Sequence, residues 1–223
     1  MYTLYIGNKN YSTWSLRAWV LMKTLEIAFR EERLALYEPD TSRRILQVSP
    51  SGRVPCLRDG EVVVWDSLAI AEYLAESHRN VWPADAIARA WARSASAEMH
   101  SGFSRLRDEL SMNVKLRSAK TPSAATAAEI ARIVALWREG RERFGRGGDF
   151  LCGPFTAVDA FFCPVAFRFQ TYAVALDQVA GAYCRALLTL PAMREWAADA
   201  AVEPEPRGVQ STSAGATPQA KPA

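Results

Sequence analysis

Residues 52–74 read GRVPCLRDGEVVVWDSLAIAEYL, and the way this stretch folds decides how the chain before it is arranged. Val54–Trp65 sets two short apolar runs on either side of Asp59-Gly60, a dipeptide suited to the tight turn of a β-hairpin. Asp66 then stands at an N-cap position, ahead of Leu68, Ala71, Tyr73 and Leu74 on the apolar side of a helix. Upstream, Pro50-Ser51-Gly52 ends the short helical or irregular segment TSRRILQVS. FREERLALY (Phe29–Tyr37) reads as a strand and WSLRAWVLMKTLE as a helix, with Trp14, Ala18, Leu21 and Leu25 at helical spacing; YTLYI (Tyr2–Ile6) opens the chain as a strand. The order is βαβ, a short helix, then ββα. A hairpin that follows a βαβ crossover implies a mixed four-stranded sheet, because the crossover pairs its strands in parallel.

Asn80–Ala84, with Pro83, reads as a linker, and beyond it strand signals largely vanish. Ala84–Arg117 and Ser123–Phe144 are long helical patterns. The glycine-rich break GRGGDFLCGP precedes a very apolar helix, TAVDAFFCPVAFRFQTY, which Pro164 is expected to kink or loosen. Val179–Leu188 and Pro191–Ala201 fit two further helices. Residues 203–223, dominated by Pro, Ser, Thr, Gly and Ala, lack the apolar content to fold alone and read as a disordered tail.

Composition narrows the function classes. With 49% hydrophobic and 23% charged residues, the 223-residue chain fits an ordinary soluble protein large enough to bury a core. Its net charge is only +3, so nothing global calls for nucleic acid or an anionic membrane as a partner. No run approaches a membrane-spanning length, and no signal-peptide core precedes Lys9 and Asn10. Cys56, Cys152, Cys163 and Cys184 form no CxxC or metal-like cluster, which reads as buried thiols in a reducing, cytoplasmic setting with no metal. His78 and His100 lack partners at metal-ligand spacing and read as surface or helix-packing residues.

Three stretches carry candidate chemistry. In NYSTWSLR (Asn10–Arg17), Ser12 stands at the mouth of a helix, where free N–H groups and a partial positive charge favour an anion. Its hydroxyl either caps that helix or donates a hydrogen bond to a bound thiolate; Thr13 and Ser15 flank it, and Tyr11 is a further candidate. In GRVPCL, a cis bond before Pro55 would turn the backbone of Val54 towards a peptide-like ligand, and the Arg53 fork suits a carboxylate. In WDSLA, Asp66 pairs with an ammonium group or merely caps, while Ser67 holds a carboxylate. A thiol stabiliser, a free backbone edge and an amino-acid clamp together describe a site for glutathione. Met99 and Phe103 share a helical face that lines a substrate pocket or belongs to the core.

Ser12 before a helix, then GRVPCL, then WDSLAIAEYL, then an all-helical half: this arrangement resembles the glutathione S-transferase family over residues 2–201. FTAVDAFFCPV resembles the capping-box segment of that family's helical domain, with Thr156 and Asp159 at the box positions. The resemblance implies an α/β plus all-α protein, with a thioredoxin-like domain at 1–79, a helical substrate and dimer domain at 84–202, and the tail beyond. It implies a cytoplasmic homodimer that uses glutathione as co-substrate against a small hydrophobic electrophile, with no metal, nucleic acid or membrane. Ser12 would activate the sulfur, with Thr13 the next candidate. Val54 before a cis Pro55 would pair with the cysteinyl backbone, Asp66 and Ser67 would hold the γ-glutamyl end, and Arg53 would meet the glycine carboxylate. A pocket of Tyr11, Met99 and Phe103 would take the electrophile. The loop reads Tyr-Ser-Thr-Trp where maleylacetoacetate isomerases of the family carry Ser-Ser-Cys, which points away from that activity. The same site also suits a glutathione-dependent isomerase or dehalogenase, and the same fold a non-catalytic scaffold.

Overall fold

The computed structural model describes residues 1–206. Its N-terminal part runs β1 (Tyr2–Ile6), α1 (Thr13–Thr24), β2 (Phe29–Arg33), α2 (Thr41–Leu46), β3 (Cys56–Asp59), β4 (Val62–Trp65) and α3 (Ser67–Ser77). The strands form a four-stranded sheet in the order β2-β1-β3-β4. β1 and β2 are parallel, while β1/β3 and β3/β4 are antiparallel, as a crossover followed by a hairpin requires. Gly60 makes the hairpin turn with φ 56°, a left-handed conformation that glycine adopts without strain.

Helices follow: α4 (Ala86–Ser101), α5 (Ser104–Glu109), α6 (Ala124–Phe144), α7 (Ala157–Thr171), α8 (Gln178–Thr189) and α9 (Pro191–Val202). α7 is buried along almost its whole length, from Ala157 to Phe169, and forms the centre of this part. α1 packs against α7, α3 and α9, so the helix that begins beside Ser12 is clamped between the sheet's helix and the helical half. One continuous cluster of buried residues joins the two parts: Leu16, Trp19 and Leu21 of α1, Met99 of α4, Phe161 and Phe162 of α7, and Trp196 of α9. Interdomain burial on this scale disfavours free relative motion of the two parts.

Four expectations need adjusting. The strand read over Phe29–Tyr37 stops at Arg33; the Leu34 N–H still bonds Ile6 (2.8 Å), but the chain then turns, with Tyr37 at φ 63° ahead of Pro39. The helical pattern Ala84–Arg117 breaks between α4 and α5, where Gly102 passes the Glu98 carbonyl so closely that a Cβ would lie 2.9 Å from it, and Phe103 is left-handed (φ 59°). α7 runs through Pro164 without interruption, buried on every side by neighbours that hold its shape. The tail read from residue 203 does not hold at its start, where Glu203 is 4% exposed and bonded to the Ser12 loop; the rest of that reading, residues 207–223, lies outside the described part. Among the described residues, no helix is long and apolar enough to cross a membrane, and no group of three or more His, Cys, Asp or Glu is placed to hold a metal. The four cysteines are free thiols, three of them buried.

Candidate active site

The sheet topology itself assembles the three candidate stretches. Because β1 and β3 are antiparallel, the end of β1 lies beside the start of β3, with Tyr5 opposite Cys56. Because β3 and β4 are antiparallel, that same start of β3 lies beside the end of β4, with Cys56 opposite Trp65. The loop after β1 with Ser12, the Arg53-Val54-Pro55 entry to β3 and the Asp66-Ser67 exit from β4 therefore converge on one end of the sheet. The Val54–Pro55 peptide bond is cis.

Ser12 is the N-cap residue of α1 by position, yet its side chain caps nothing. Its hydroxyl donates to Ser15 Oγ at 2.7 Å, and Ser15 Oγ also accepts the Gly7 N–H at 3.0 Å. Ser15 is fully buried and Ser12 is 6% exposed. The first-turn N–H groups of α1 thus receive no bond from the N-cap side chain and keep their partial positive charge. Gly7 lets the loop close this tightly, since a Cβ there would sit 2.5 Å from Leu36 and 3.1 Å from Ser12 Cβ. Tyr11 is otherwise occupied: its hydroxyl donates to Glu205 at 2.6 Å, and burial together with that carboxylate pushes its pKa up to about 12. Thr13 opens α1 half-buried.

Asp66 does two jobs at once. Its Oδ1 accepts the N–H of Leu68 (2.7 Å) and Ala69 (3.4 Å), capping α3, while Oδ2 lies 3.2 Å from His100 Nε2. The side chain remains 42% exposed, which leaves lone pairs open to a further donor. Ser67 beside it is 1% exposed, and its hydroxyl has no hydrogen-bond partner. A buried hydroxyl without a partner is costly; placed at a helix N-terminus, it is suited to take a ligand's carboxylate. Arg53 is exposed. Met99 (1% exposed) and Phe103 (7%) pack into the core, whereas Tyr11 stands edge-on to Tyr37 with ring centres 6.0 Å apart.

Several neighbours escape sequence reading. His100, from α4, bridges the halves: it meets Asp66 on one side and the Trp14 ring at 5.1 Å on another. Burial lowers its pKa; Asp66 opposes that, and the Arg17 and Arg107 charges add to it. Arg17 is 2% exposed between the rings of Trp14 (4.3 Å) and Phe161 (4.8 Å), and its Nε and Nη1 have no partner. Burial, then the Arg107 and Arg168 charges, hold its pKa well below the ordinary arginine value. Arg17 lies three residues after Trp14 inside an apolar helical run, a faint sign of a buried charge; nothing local points to His100 as the partner of Asp66. On the far side of the loop, Lys9 is sunk between Trp19 (4.6 Å) and Trp196 (5.4 Å), with its Nζ on Glu31 (2.9 Å) and Asp199 (2.6 Å).

The family model for the glutathione S-transferase N-terminal domain matches residues 11–77, which hold Ser12, Arg53, Pro55, Asp66 and Ser67. A probable maleylacetoacetate isomerase from Caenorhabditis elegans is 31% identical over 103 residues, 45% of this chain and 47% of its own length. A stringent starvation protein A homolog from Haemophilus ducreyi is 23% identical over 154 residues, 68% of this chain and 69% of that protein. The chain thus spans about half the length of the first relative and about two thirds of the second. Among solved structures, a glutathione transferase homolog from Burkholderia with bound glutathione superposes at a TM-score of 0.67 with 23% identity, covering 90% of this chain and 97% of that one. The unclassified glutathione S-transferase 2 of Bombyx mori gives 0.68 with 19% identity, covering 89% and 93%. Residues 11–77 thus match a glutathione S-transferase N-terminal domain, and the chain shares the two-part fold of these solved structures.

Proposed function

We propose that the chain is a glutathione transferase that binds glutathione at the convergent end of the sheet and activates its thiol for attack on a small electrophile, by conjugation or peroxide reduction. The observation that carries this reading is the unpartnered, buried Ser67 hydroxyl, set beside the half-exposed Asp66 carboxylate at the end of the sheet where the uncapped start of α1 also lies. Ser67 and the first N–H groups of α3 would hold the γ-glutamyl carboxylate, Asp66 its ammonium group, and Arg53 the glycine carboxylate. The backbone of Val54 would pair with the cysteinyl unit. Glutathione supplies the nucleophilic sulfur; the protein supplies its ionisation and its position.

Ionisation is the part that Ser12 performs. A cysteine-type thiol has a pKa of about 8.5, and each unit of depression requires about 1.36 kcal/mol of preferential thiolate stabilisation. The Ser12 hydroxyl, now turned to Ser15, swings its proton to a thiolate because a charged acceptor makes a bond roughly twice as strong as a neutral one. Ser15 remains behind Ser12 as a buried hydroxyl at 2.7 Å, able to donate to its oxygen in return. With the helix end, this supplies roughly one to two units of depression. Tyr11 is the poorer candidate, since its proton is held by Glu205.

Calorimetry with glutathione tests the reading. Ser12→Ala retains binding and loses turnover, whereas Ser67→Ala binds more weakly. An unmutated protein that fails to bind at millimolar glutathione would overturn it, and would favour the scaffold role in which transferase-like domains serve without catalysis. A glutathione-dependent isomerase on the same site is the second reading, supported by the identity to the Caenorhabditis elegans relative. Product analysis separates the two: a conjugate retains glutathione, and an isomer does not. The proposal includes a cytoplasmic homodimer, which sedimentation of the full chain tests.

A further inference from the structure

The segment after α9 is bound to the loop that presents Ser12. The Glu203 carboxylate, its side chain 1% exposed, accepts the Lys9 N–H at 2.8 Å through Oε1 and the Asn10 N–H at 3.1 Å through Oε2, while Arg33 Nη1 donates to Oε1 at 2.9 Å. The Asn8 carbonyl closes the same loop into a turn by accepting the N–H of Tyr11 (3.2 Å) and Ser12 (2.9 Å). The N–H groups left pointing out of that turn are thus taken by a carboxylate from the far end of the described chain. The outward carbonyls are held from the helical half as well: Trp196 Nε1 donates to Lys9 O at 2.7 Å, and the Val114 N–H to Asn10 O at 3.3 Å. Lys115 Nζ ties the strap down, reaching Glu203 O at 2.6 Å and Glu205 Oε1 at 3.1 Å; the other oxygen of Glu205 holds Tyr11, next to Ser12.

We propose that Glu203 is a positioning residue for the thiol-activating hydroxyl: by gripping the Lys9 and Asn10 N–H groups it fixes the turn that aims Ser12 Oγ. The inference rests on the reading of Ser12 given above. The carboxylate does not reach the sulfur and acts through the turn. A hydroxyl-to-sulfur bond depends on placement, and a misplacement of about 1 Å at a reacting centre costs up to roughly a hundredfold in rate. Arg33 neutralises the buried charge, so the anchor places no net negative charge beside the thiolate.

The test uses the full chain with Glu203→Gln, which keeps one acceptor oxygen, and Glu203→Ala, which keeps none. Glutathione is titrated calorimetrically, the bound thiolate is followed by its ultraviolet absorbance against pH, and turnover is measured with chlorodinitrobenzene. The dissociation constant is unchanged below the pKa of the bound thiol, because Asp66, Ser67 and Val54 are untouched, and rises by up to about tenfold where that thiol is ionised, the linkage of a one-unit shift. The bound thiol of Glu203→Ala titrates about one unit higher, which leaves about tenfold less thiolate below its pKa; Glu203→Gln falls between it and the unmutated protein. Variants that melt earlier yet show an unchanged thiol titration overturn the inference, since Glu203 would then be structural alone. An unmutated protein that binds glutathione without ionising it overturns the Ser12 reading and this one with it. If neither variant folds, amide exchange in the unmutated protein decides. Coupling is reciprocal, so saturating glutathione slows exchange at Lys9 and Asn10; unchanged exchange overturns the inference.

Discussion

Two helix starts in this molecule carry nearly the same local pattern and end in opposite conditions. At α7 the sequence is Thr156-Ala157-Val158-Asp159, and at α1 it is Ser12-Thr13-Trp14-Ser15. The first is a completed capping box, with the Thr156 N–H bonded to Asp159 Oδ2 at 2.9 Å. Asp159 also accepts the Leu151 N–H (3.0 Å) and the Tyr183 hydroxyl (2.9 Å), so every donor around it is used. At α1 the two hydroxyls bond each other, and the helix N–H groups receive no side chain. A polar residue three places along (Asp159 or Ser15) decides the difference: an acid reaches back to close the cap, whereas a short hydroxyl draws the cap residue away from it. The sealed start stabilises the fold, and the open one leaves its helix N–H groups without a side-chain acceptor.

Substitutions should separate the two starts by what they damage. Asp159→Ala strands three buried donors and is expected to cost about 3 kcal/mol or more in urea denaturation, with glutathione binding intact where the variant folds. Ser12→Ala should lower kcat/KM by roughly a hundredfold, the scale of losing one preorganised donor to a developing anion. It should shift the unfolding free energy by about 1 kcal/mol or less. Equal losses of stability from both variants would erase the distinction. Thr156→Ala should cost about 1 kcal/mol in the same denaturation series, the usual worth of an N-cap, without moving the pH dependence of the bound thiol.

The smallest expected effect concerns pH. Burial raises the Asp159 pKa from 3.8 to about 6, against the pull of its hydrogen bonds. Its folded value exceeds its unfolded one, so this group's contribution to stability grows as pH falls through about 6 and is reduced above it. Glu109 runs the other way: hydrogen bonds from Ser123 and Thr126 lower it from 4.5 to about 2. Its contribution is complete above 4.5 and disappears as pH falls towards 2. Urea midpoints followed across that range should therefore place acid destabilisation at Glu109, outside the capping box.

Local signals made much of this visible in the sequence. Asp59-Gly60 identifies the hairpin, the hairpin makes the sheet mixed, and the mixed sheet is what gathers Ser12, Pro55 and Asp66 at one end. Thr156 and Asp159, three residues apart, announce their own bonding. The features that stayed hidden are contacts across long stretches of chain. Asp66 to His100 spans the boundary between the halves, and Glu203 reaches Lys9 from the other end of the described chain. Glu203 was also concealed by composition, because a lone acid among prolines reads as solvated tail until a pair of N–H groups is found beneath it. Ser15 was visible as a hydroxyl, but its partner depended on how tightly Gly7 lets the loop fold back.

The sunken Lys9 has a practical consequence. Its ammonium lies over two indoles that meet edge to face at 5.1 Å, Trp19 of α1 and Trp196 of α9, and the Trp196 ring N–H holds the Lys9 carbonyl. The emission of this pair depends on a neighbouring positive charge and on the seating of the last helix against the Ser12 loop. The molecule therefore carries its own fluorophore at that junction, and the difference in intrinsic fluorescence between the unmutated chain and Trp196→Phe can follow the seating of α9 on the loop without any added label.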